Sequence, residues 1–225
     1  MEIIHEQLKE ILSIINESDI EYWASGGTLL GAIRHKDIIP WDDDIDLEVL
    51  DTIENHEKIL YLRPYLNSLG YELSEIYFGY KIFPLSGSII RKNLWREHQR
   101  VFKENNPHIR HRNEVAIKAS PTYIKPPRGQ GIQYHDYKYP YLDIFLVNNY
   151  KNKISCIDNR FDNFYHHTND LFPLKKIRFG NLLIYTPYNP LPYLNRGFGK
   201  DYMTKGKKYY DHKNEKIIPL QVFII

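Results

Sequence analysis

The sequence predicts an α/β protein, and three observations carry that reading. A helical stripe lies near the start, a short strand breaks at paired glycines into a helix, and a later strand alternates acidic with aliphatic residues. In residues 3 to 15, Ile4, Leu8, Ile11, Leu12 and Ile15 recur at spacings of three and four, the stripe of an amphipathic helix that must pack on something. Ile20 to Ala24 then reads as a short strand, Gly26-Gly27 breaks it, and Thr28 to Ile33 resumes in helical character. Pro40 fixes a turn, after which Asp44, Asp46 and Glu48 alternate with Ile45, Leu47 and Val49 in a strand with one polar face.

The remaining elements come from local signals. Asp51-Thr52-Ile53-Glu54 supplies an N-cap with an acid three positions on, and Gly70 offers a closing αL cap, so a single helix is expected over roughly 52 to 68. From about 86 to 139 the chain holds Arg91, Arg96, Arg100, Arg110, Arg112 and Arg128, prolines at 121, 126 and 127, and little periodicity, which predicts a loop-rich insertion. Tyr141 to Val147 is a strand, and 174 to 186 a hairpin turning at Gly180-Asn181. Pro190 and Pro192 open a last short helix that ends near Gly197 or Gly199. The closing IIPLQVFII is too brief to cross a bilayer and reads as a final strand or a packed tail. One domain over residues 1–225 is expected, since 42% hydrophobic residues are ample for a core.

Charge and cysteine usage narrow the function classes. Thirty basic and 28 acidic residues nearly cancel, so no nucleic-acid partner or anionic membrane surface is expected. The single cysteine, Cys156, rules out an internal disulfide and would need three other ligands for structural zinc. The N-terminal MEIIHEQLKEILSIINES mixes charges into its apolar positions, with neither a signal-peptide core nor a transmembrane segment, so a soluble, cytoplasmic protein is expected.

The acidic run carries the chemistry. On a strand, side chains two apart share a face, so Asp42, Asp44 and Asp46 can aim three carboxylates at one spot while Asp43 points away. Unneutralised, they would repel; a hard divalent cation with oxygen ligands removes that cost, and Mg²⁺ leaves positions open for phosphate oxygens. Asp143 interrupts the otherwise apolar strand Tyr141 to Leu146, and a buried lone carboxylate wants a partner. If that strand lies beside 44–50, Asp143 joins the metal site and can accept a proton from an attacking hydroxyl. The bland reading is a solvated turn capping the next element. An EF-hand loop fails, because its sixth position is Leu47 and its twelfth Ile53. Neither a P-loop nor a dinucleotide fingerprint is present, and paired glycines alone mark only a turn. The combination is more specific: a helix N-terminus at Gly26, Gly27 and Thr28 opposite metal-binding carboxylates suits phosphoryl transfer.

The unbroken stretch WASGGTLLGAIRHKDIIPWDDDIDL, Trp23 to Leu47, closely resembles the signature of the LicD family, which includes bacterial phosphocholine transferases and fukutin-related proteins within the nucleotidyltransferase superfamily. Tyr141 to Phe145, Leu171 to Asn181 and Tyr193 to Tyr202 look like later parts of it. The resemblance implies a nucleotidyltransferase fold, α/β (α+β), with a short mixed sheet flanked by helices. It places the Gly-Gly-Thr motif on Gly26, Gly27 and Thr28, the metal aspartates on Asp44 and Asp46 with Asp42 in support, and the third carboxylate on Asp143. It implies a metal-dependent phosphotransferase, with Mg²⁺ or Mn²⁺, that moves phosphocholine, ribitol phosphate or a similar group from a CDP-alcohol donor to a glycan or glycoconjugate acceptor. The fukutin-related branch carries a membrane anchor and a secretory location; neither is expected here.

Other residues have two readings. Arg34 and Lys36 come soon after the glycine turn and suit donor phosphates or plain solvent. Lys175, Lys176 and Arg178 suit an anionic ligand or a lysine-guarded strand edge. His98, His108, His111 and His135 are too irregularly spaced for a metal site. Two rival functions remain: transfer of a nucleotide from a triphosphate to a protein, small-molecule or nucleic-acid acceptor, and an inactive glycan-binding protein.

Overall fold

The computed structural model describes residues 1–76, 78–89, 137–158, 161, 163–214 and 216–225. Most of the 86–139 stretch, with its four histidines, lies outside the described residues. In chain order come α1 (Glu2–Asn16), β1 (Tyr22–Ala24), α2 (Gly26–Arg34), β2 (Asp44–Leu50), α3 (Ile53–Tyr61), α4 (Arg63–Ser68), β3 (Tyr71–Ile76) and β4 (Gly79–Pro84). After these lie β5 (Ser88–Ile89), β6 (Lys138–Tyr139), β7 (Tyr141–Tyr150), β8 (Lys153–Cys156), β9 (Tyr165–His167), α5 (Thr168–Leu171), β10 (Lys175–Phe179), β11 (Leu182–Thr186), α6 (Leu191–Phe198), β12 (Lys205–Asp211) and β13 (Lys216–Ile224).

The fold is α/β, as the sequence predicts. A mixed sheet runs β1-β2-β7-β4-β3, with β8 added along the second half of β7 and β9 beside β8. The centre is a parallel pair, β2 and β7, in which Asp44 stands opposite Tyr141, Asp46 opposite Asp143 and Glu48 opposite Phe145. Parallel neighbours need a long crossover, and here residues 51–140 supply it. The alternation of β2 therefore divides the sheet into two faces. Ile45, Leu47 and Val49 join Leu142, Ile144, Ile82 and Tyr22 on one face, which the apolar stripe of α1 (Leu8, Ile11, Leu12, Ile15) helps to bury. Each such side chain contributes about 1.5–3 kcal/mol. On the other face the Asp end of the sheet is polar. Further along β7 it turns apolar, where Phe78 stacks on Phe145 with ring centres 4.3 Å apart. Among the described residues, no helix is long and apolar enough to cross a membrane.

Two local expectations need correction, while the closing apolar run is a final strand, as expected. The helix expected over 52–68 is two helices, because Pro64 lacks an N–H and settles in the first turn of α4. Thr52 rather than Asp51 caps α3, accepting from the Asn55 amide at 3.2 Å, and Asp51 turns to His56 Nε2 at 2.9 Å. The closing apolar run is β13, paired with β12 in a hairpin the sequence does not announce, since Lys205 to Asp211 shows little hydrophobic alternation. The β3–β4 hairpin also goes unannounced. Its Gly79, at φ +149°, lies where a Cβ would come within 2.1 Å of the Ile144 carbonyl oxygen, so β4 can approach β7 only with glycine there.

Candidate active site

The glycine turn and the acidic strand are in direct contact. Gly26, at φ +47°, starts α2 behind the cap residue Ser25, and a Cβ on it would lie 2.5 Å from Asp46 Oδ2. A Cβ on Gly27 would lie 2.6 Å from Asp42 Oδ2. Only a backbone without side chains leaves room for those carboxylates. The Thr28 hydroxyl accepts from the Asp46 amide at 2.8 Å, and the Ser25 amide donates to the Asp46 carbonyl at 3.0 Å, which fixes turn and strand in one register. The first turn of a helix has no intrahelical acceptors for its amides. Tyr193 OH takes the Gly26 N–H at 2.9 Å, so the amides of Gly27 and Thr28 are the ones left at the mouth of the turn.

Behind the turn, β7 brings Asp143 beside Asp46, and β4 brings Lys81 opposite Asp143. The Lys81 ammonium lies 2.6 Å from Asp143 Oδ1 and 3.1 Å from the centre of the Tyr141 ring, with both charged groups buried. The partner that a buried Asp143 requires is thus a lysine that sequence reasoning misses, because the sequence does not announce β3 and β4 as paired strands. Lys81 carries the only charge in an apolar strand stretch, Gly79 to Pro84, the same signal that singles out Asp143.

Asp43 departs from the expectation that it points away. It precedes β2, where strand alternation does not yet apply, and it accepts from Tyr139 OH at 2.9 Å and from His212 Nδ1 at 2.6 Å. His212, at the turn of the β12–β13 hairpin, places Nε2 at 3.2 Å from Asp44 Oδ2. Asp42, Asp43, Asp44 and His212 each offer one ligand atom, all within 4.8 Å of one another. The sequence offers no signal for His212, since nothing marks its hairpin as neighbouring the acidic run.

The electrostatics of this group is lopsided. Burial and then the neighbouring Asp44 push Asp42 up to about 7. Burial also raises Asp44, and it raises Asp46 well above the usual carboxylate range, with the charges of Asp44, Asp143 and Asp42 adding to it. Burial works against a charge on His212, but Asp44 and the hydrogen-bonded Asp43 outweigh it and lift the ring to about 10. Burial likewise opposes the charge on Asp43, yet the His212 hydrogen bond holds it below the ordinary value. These donors suit a divalent cation: several oxygens and one imidazole converge, and the acids facing the glycine cradle raise one another's proton affinity.

The other expected residues have partners of their own, although the Asp42 charge still acts on Arg34. The Arg34 guanidinium, at the far end of α2, donates to the carbonyls of Tyr202 at 2.5 Å and Lys205 at 3.2 Å. Lys175, Lys176 and Arg178 are exposed on β10, with Lys175 over Tyr188 and Lys176 over Tyr185. Trp23 is fully buried and donates to Glu48 at 2.6 Å.

Known proteins share parts of this chain. Residues 19–127 match the LicD/FKTN/FKRP nucleotidyltransferase domain. An uncharacterized protein of Rickettsia typhi is 26% identical over 197 residues, 87% of this chain and 45% of that protein. Ribitol 5-phosphate transferase FKRP of Homo sapiens is 40% identical over 57 residues, 25% of this chain and 12% of its own length. Lipopolysaccharide cholinephosphotransferase LicD of Haemophilus influenzae is 71% identical over 28 residues, 12% of this chain and 11% of its own length. The chain spans about half the length, or less, of the relatives it matches.

Proposed function

Because this chain belongs to the LicD family, we propose that it is a metal-dependent phosphotransferase acting on a CDP-alcohol, and that residues 1–225 form one such domain. The observation that carries the reading is the contact of Gly26 and Gly27 with the carboxylates of Asp46 and Asp42. It sets free helix-end amides and a cluster of acids against the same small space, which is what a diphosphate with its counter-cation requires.

In this reading Asp42, Asp44 and Asp46, with Asp143 behind them, would hold Mg²⁺ or Mn²⁺, which when bound would supply positive charge to the diphosphate and the departing nucleotide oxygen. The amides of Gly27 and Thr28 orient the donor phosphates. A glycan hydroxyl attacks the phosphorus that bears the alcohol; its proton passes to Asp143, the bond to the bridging oxygen breaks, and CMP leaves. Lys81, 2.6 Å from Asp143 Oδ1, fixes the orientation of that carboxylate. Arg34, engaged with backbone carbonyls, would reach phosphate only by releasing them.

The test is a thermal-shift panel of CDP-choline, CDP-ribitol, CDP-glycerol and nucleoside triphosphates, with and without Mn²⁺, and then an assay of CMP release. Metal-dependent stabilisation by at least one CDP-alcohol is expected, since a ligand that binds only the folded state raises Tm. Stabilisation by triphosphates alone, with label passing to the acceptor, would replace this reading by nucleotide transfer. Binding of glycan without any metal or nucleotide would leave an inactive binding protein.

A further inference from the structure

We propose that the β12–β13 hairpin is part of the active site, and that His212, oriented by Asp43, is a nitrogen ligand of the divalent cation. This role rests on the phosphotransferase reading and extends it to a part of the chain that neither the acidic run nor the glycine turn points to.

The hairpin is fastened over the acidic loop from both ends. Lys208 Nζ donates to the Trp41 carbonyl at 2.7 Å, Phe223 stacks on the Trp41 indole at 4.3 Å, and Gly206 lies where a Cβ would come within 2.2 Å of that indole. Arg34 ties the entry of β12 through the carbonyls of Tyr202 and Lys205. These contacts deliver the turn, and with it His212, to the residues preceding β2.

The two ring nitrogens then face different partners. Nδ1 lies 2.6 Å from Asp43 Oδ1, a direct charge-assisted hydrogen bond, while Tyr139 OH holds the other oxygen of the same carboxylate. Metal-bound histidines commonly carry this arrangement, one ring N–H donated to a carboxylate so that the second nitrogen is aimed at the ion. The aimed nitrogen, Nε2, stands 3.2 Å from Asp44 Oδ2. Two donors at right angles around a cation with bonds of about 2.1 Å lie about 3 Å apart. Asp43 is therefore the positioning residue, and Asp44 and His212 are neighbouring ligands. The glycine turn approaches the same acids, with Gly26 against Asp46 and Gly27 against Asp42.

An imidazole in the ligand set also bears on which metal is chosen. Mg²⁺ favours oxygen donors and retains waters, whereas Mn²⁺ and the later divalent ions accept nitrogen more readily. The chain should bind Mn²⁺ more tightly than Mg²⁺, with His212 as the source of the difference.

The experiment is calorimetric titration of the full chain with Mn²⁺ and Mg²⁺, with pulsed EPR of the Mn²⁺ form. Nitrogen modulation from a bound imidazole is expected in the wild type, a readout that requires no variant. His212→Gln should lose it and bind Mn²⁺ at least ~10-fold more weakly, and Asp43→Asn should weaken binding by about 10-fold while retaining the hairpin. Circular dichroism confirms that each variant is folded. A His212→Gln protein that binds Mn²⁺ as tightly as the wild type or tighter, or a wild type without nitrogen modulation, overturns the assignment and makes His212 an ion-pair partner that the cation displaces. A wild type that binds no divalent cation overturns the functional reading itself, so the two failures are distinct.

Discussion

Asp46 and Glu48 stand two residues apart on one face of β2, yet their surroundings differ in kind. Glu48 is saturated: Trp23 Nε1 donates to it at 2.6 Å, Ser25 Oγ at 2.7 Å, and His166 Nε2 lies 3.3 Å away. Tyr193, stacked on His166 at 4.3 Å, extends this network to Ser25 and to the Gly26 amide. Asp46 is surrounded instead by Asp44, Asp143 and Asp42, with glycine against its carboxylate. One strand thus carries an acid whose partners belong to the fold and an acid that, in the proposed reading, takes a bound cation as its partner. A buried charge matched by donors is part of the structure, whereas mutually repelling carboxylates are relieved by a proton or by a cation.

The comparison breaks most decisively at activity. Asp44→Ala or Asp46→Ala should reduce turnover at least ~10³-fold, the scale of losing a central electrostatic element, while the metal-free protein stays folded. Mn²⁺ titration checks the cause, and unchanged binding in both variants would remove these residues from the metal site. Glu48→Ala should do the reverse. It leaves the buried donors Trp23 and Ser25 without their acceptor and should cost about 3–5 kcal/mol in urea unfolding. A Glu48 variant as stable as the wild type would show that the network is not structural.

Much of this arrangement is legible from spacing alone. The stripe at 3–15, the glycine break and the alternation at 44–50 fix α1, α2 and β2, because each element satisfies its period with its own residues. Asp143 is legible as a lone acid in an apolar strand. Lys81 and His212 are not, because each depends on a tertiary pairing. Lys81 faces Asp143 only once β4 lies antiparallel to β7, and His212 reaches Asp43 only once the last hairpin folds back over Trp41. Asp43 misleads for a local reason: it lies before the strand, so alternation assigns it to the wrong side.

Within the site, Lys81→Met sharpens the contrast at a smaller scale. Removing the ammonium leaves Asp143 buried beside Asp46, and a broken buried pair costs about 3 kcal/mol. If Asp143 takes its place around the cation, Mn²⁺ should raise the stability of Lys81→Met by more than it raises that of Glu48→Ala or the wild type, whose cation sites are unchanged. Equal stabilisation of all three would mean that Asp143 gains nothing particular from the cation. Tyr193→Phe should cost less, about 1–2 kcal/mol, since it removes one hydroxyl from Ser25 and Gly26 but leaves the ring stacked on His166.

The smallest expected effect is on the pH dependence of stability, and its sign is diagnostic. A carboxylate whose folded value lies above its unfolded one binds extra protons in the folded state, so stability falls as pH rises between the two values. Asp42, pushed up to about 7 by burial and then by Asp44, places that window at about pH 4 to 7. His212 is lifted to about 10 by Asp44 and Asp43 against the effect of burial, and it continues the same sign, since a raised imidazole stabilises below its unfolded value and loses that contribution as pH climbs. Asp43 runs the other way, but only below its ordinary range. Urea denaturation in EDTA should therefore show stability falling by at least about 1 kcal/mol from pH 5 to pH 8, whereas most proteins hold or gain stability over that interval. Saturating Mn²⁺ should flatten or reverse the slope, because a bound cation favours the deprotonated carboxylates. A metal-free slope of the opposite sign would mean that the charge on Asp42 is matched within the fold, as that on Glu48 is by its donors, and the distinction between the acidic cluster and Glu48 would fall.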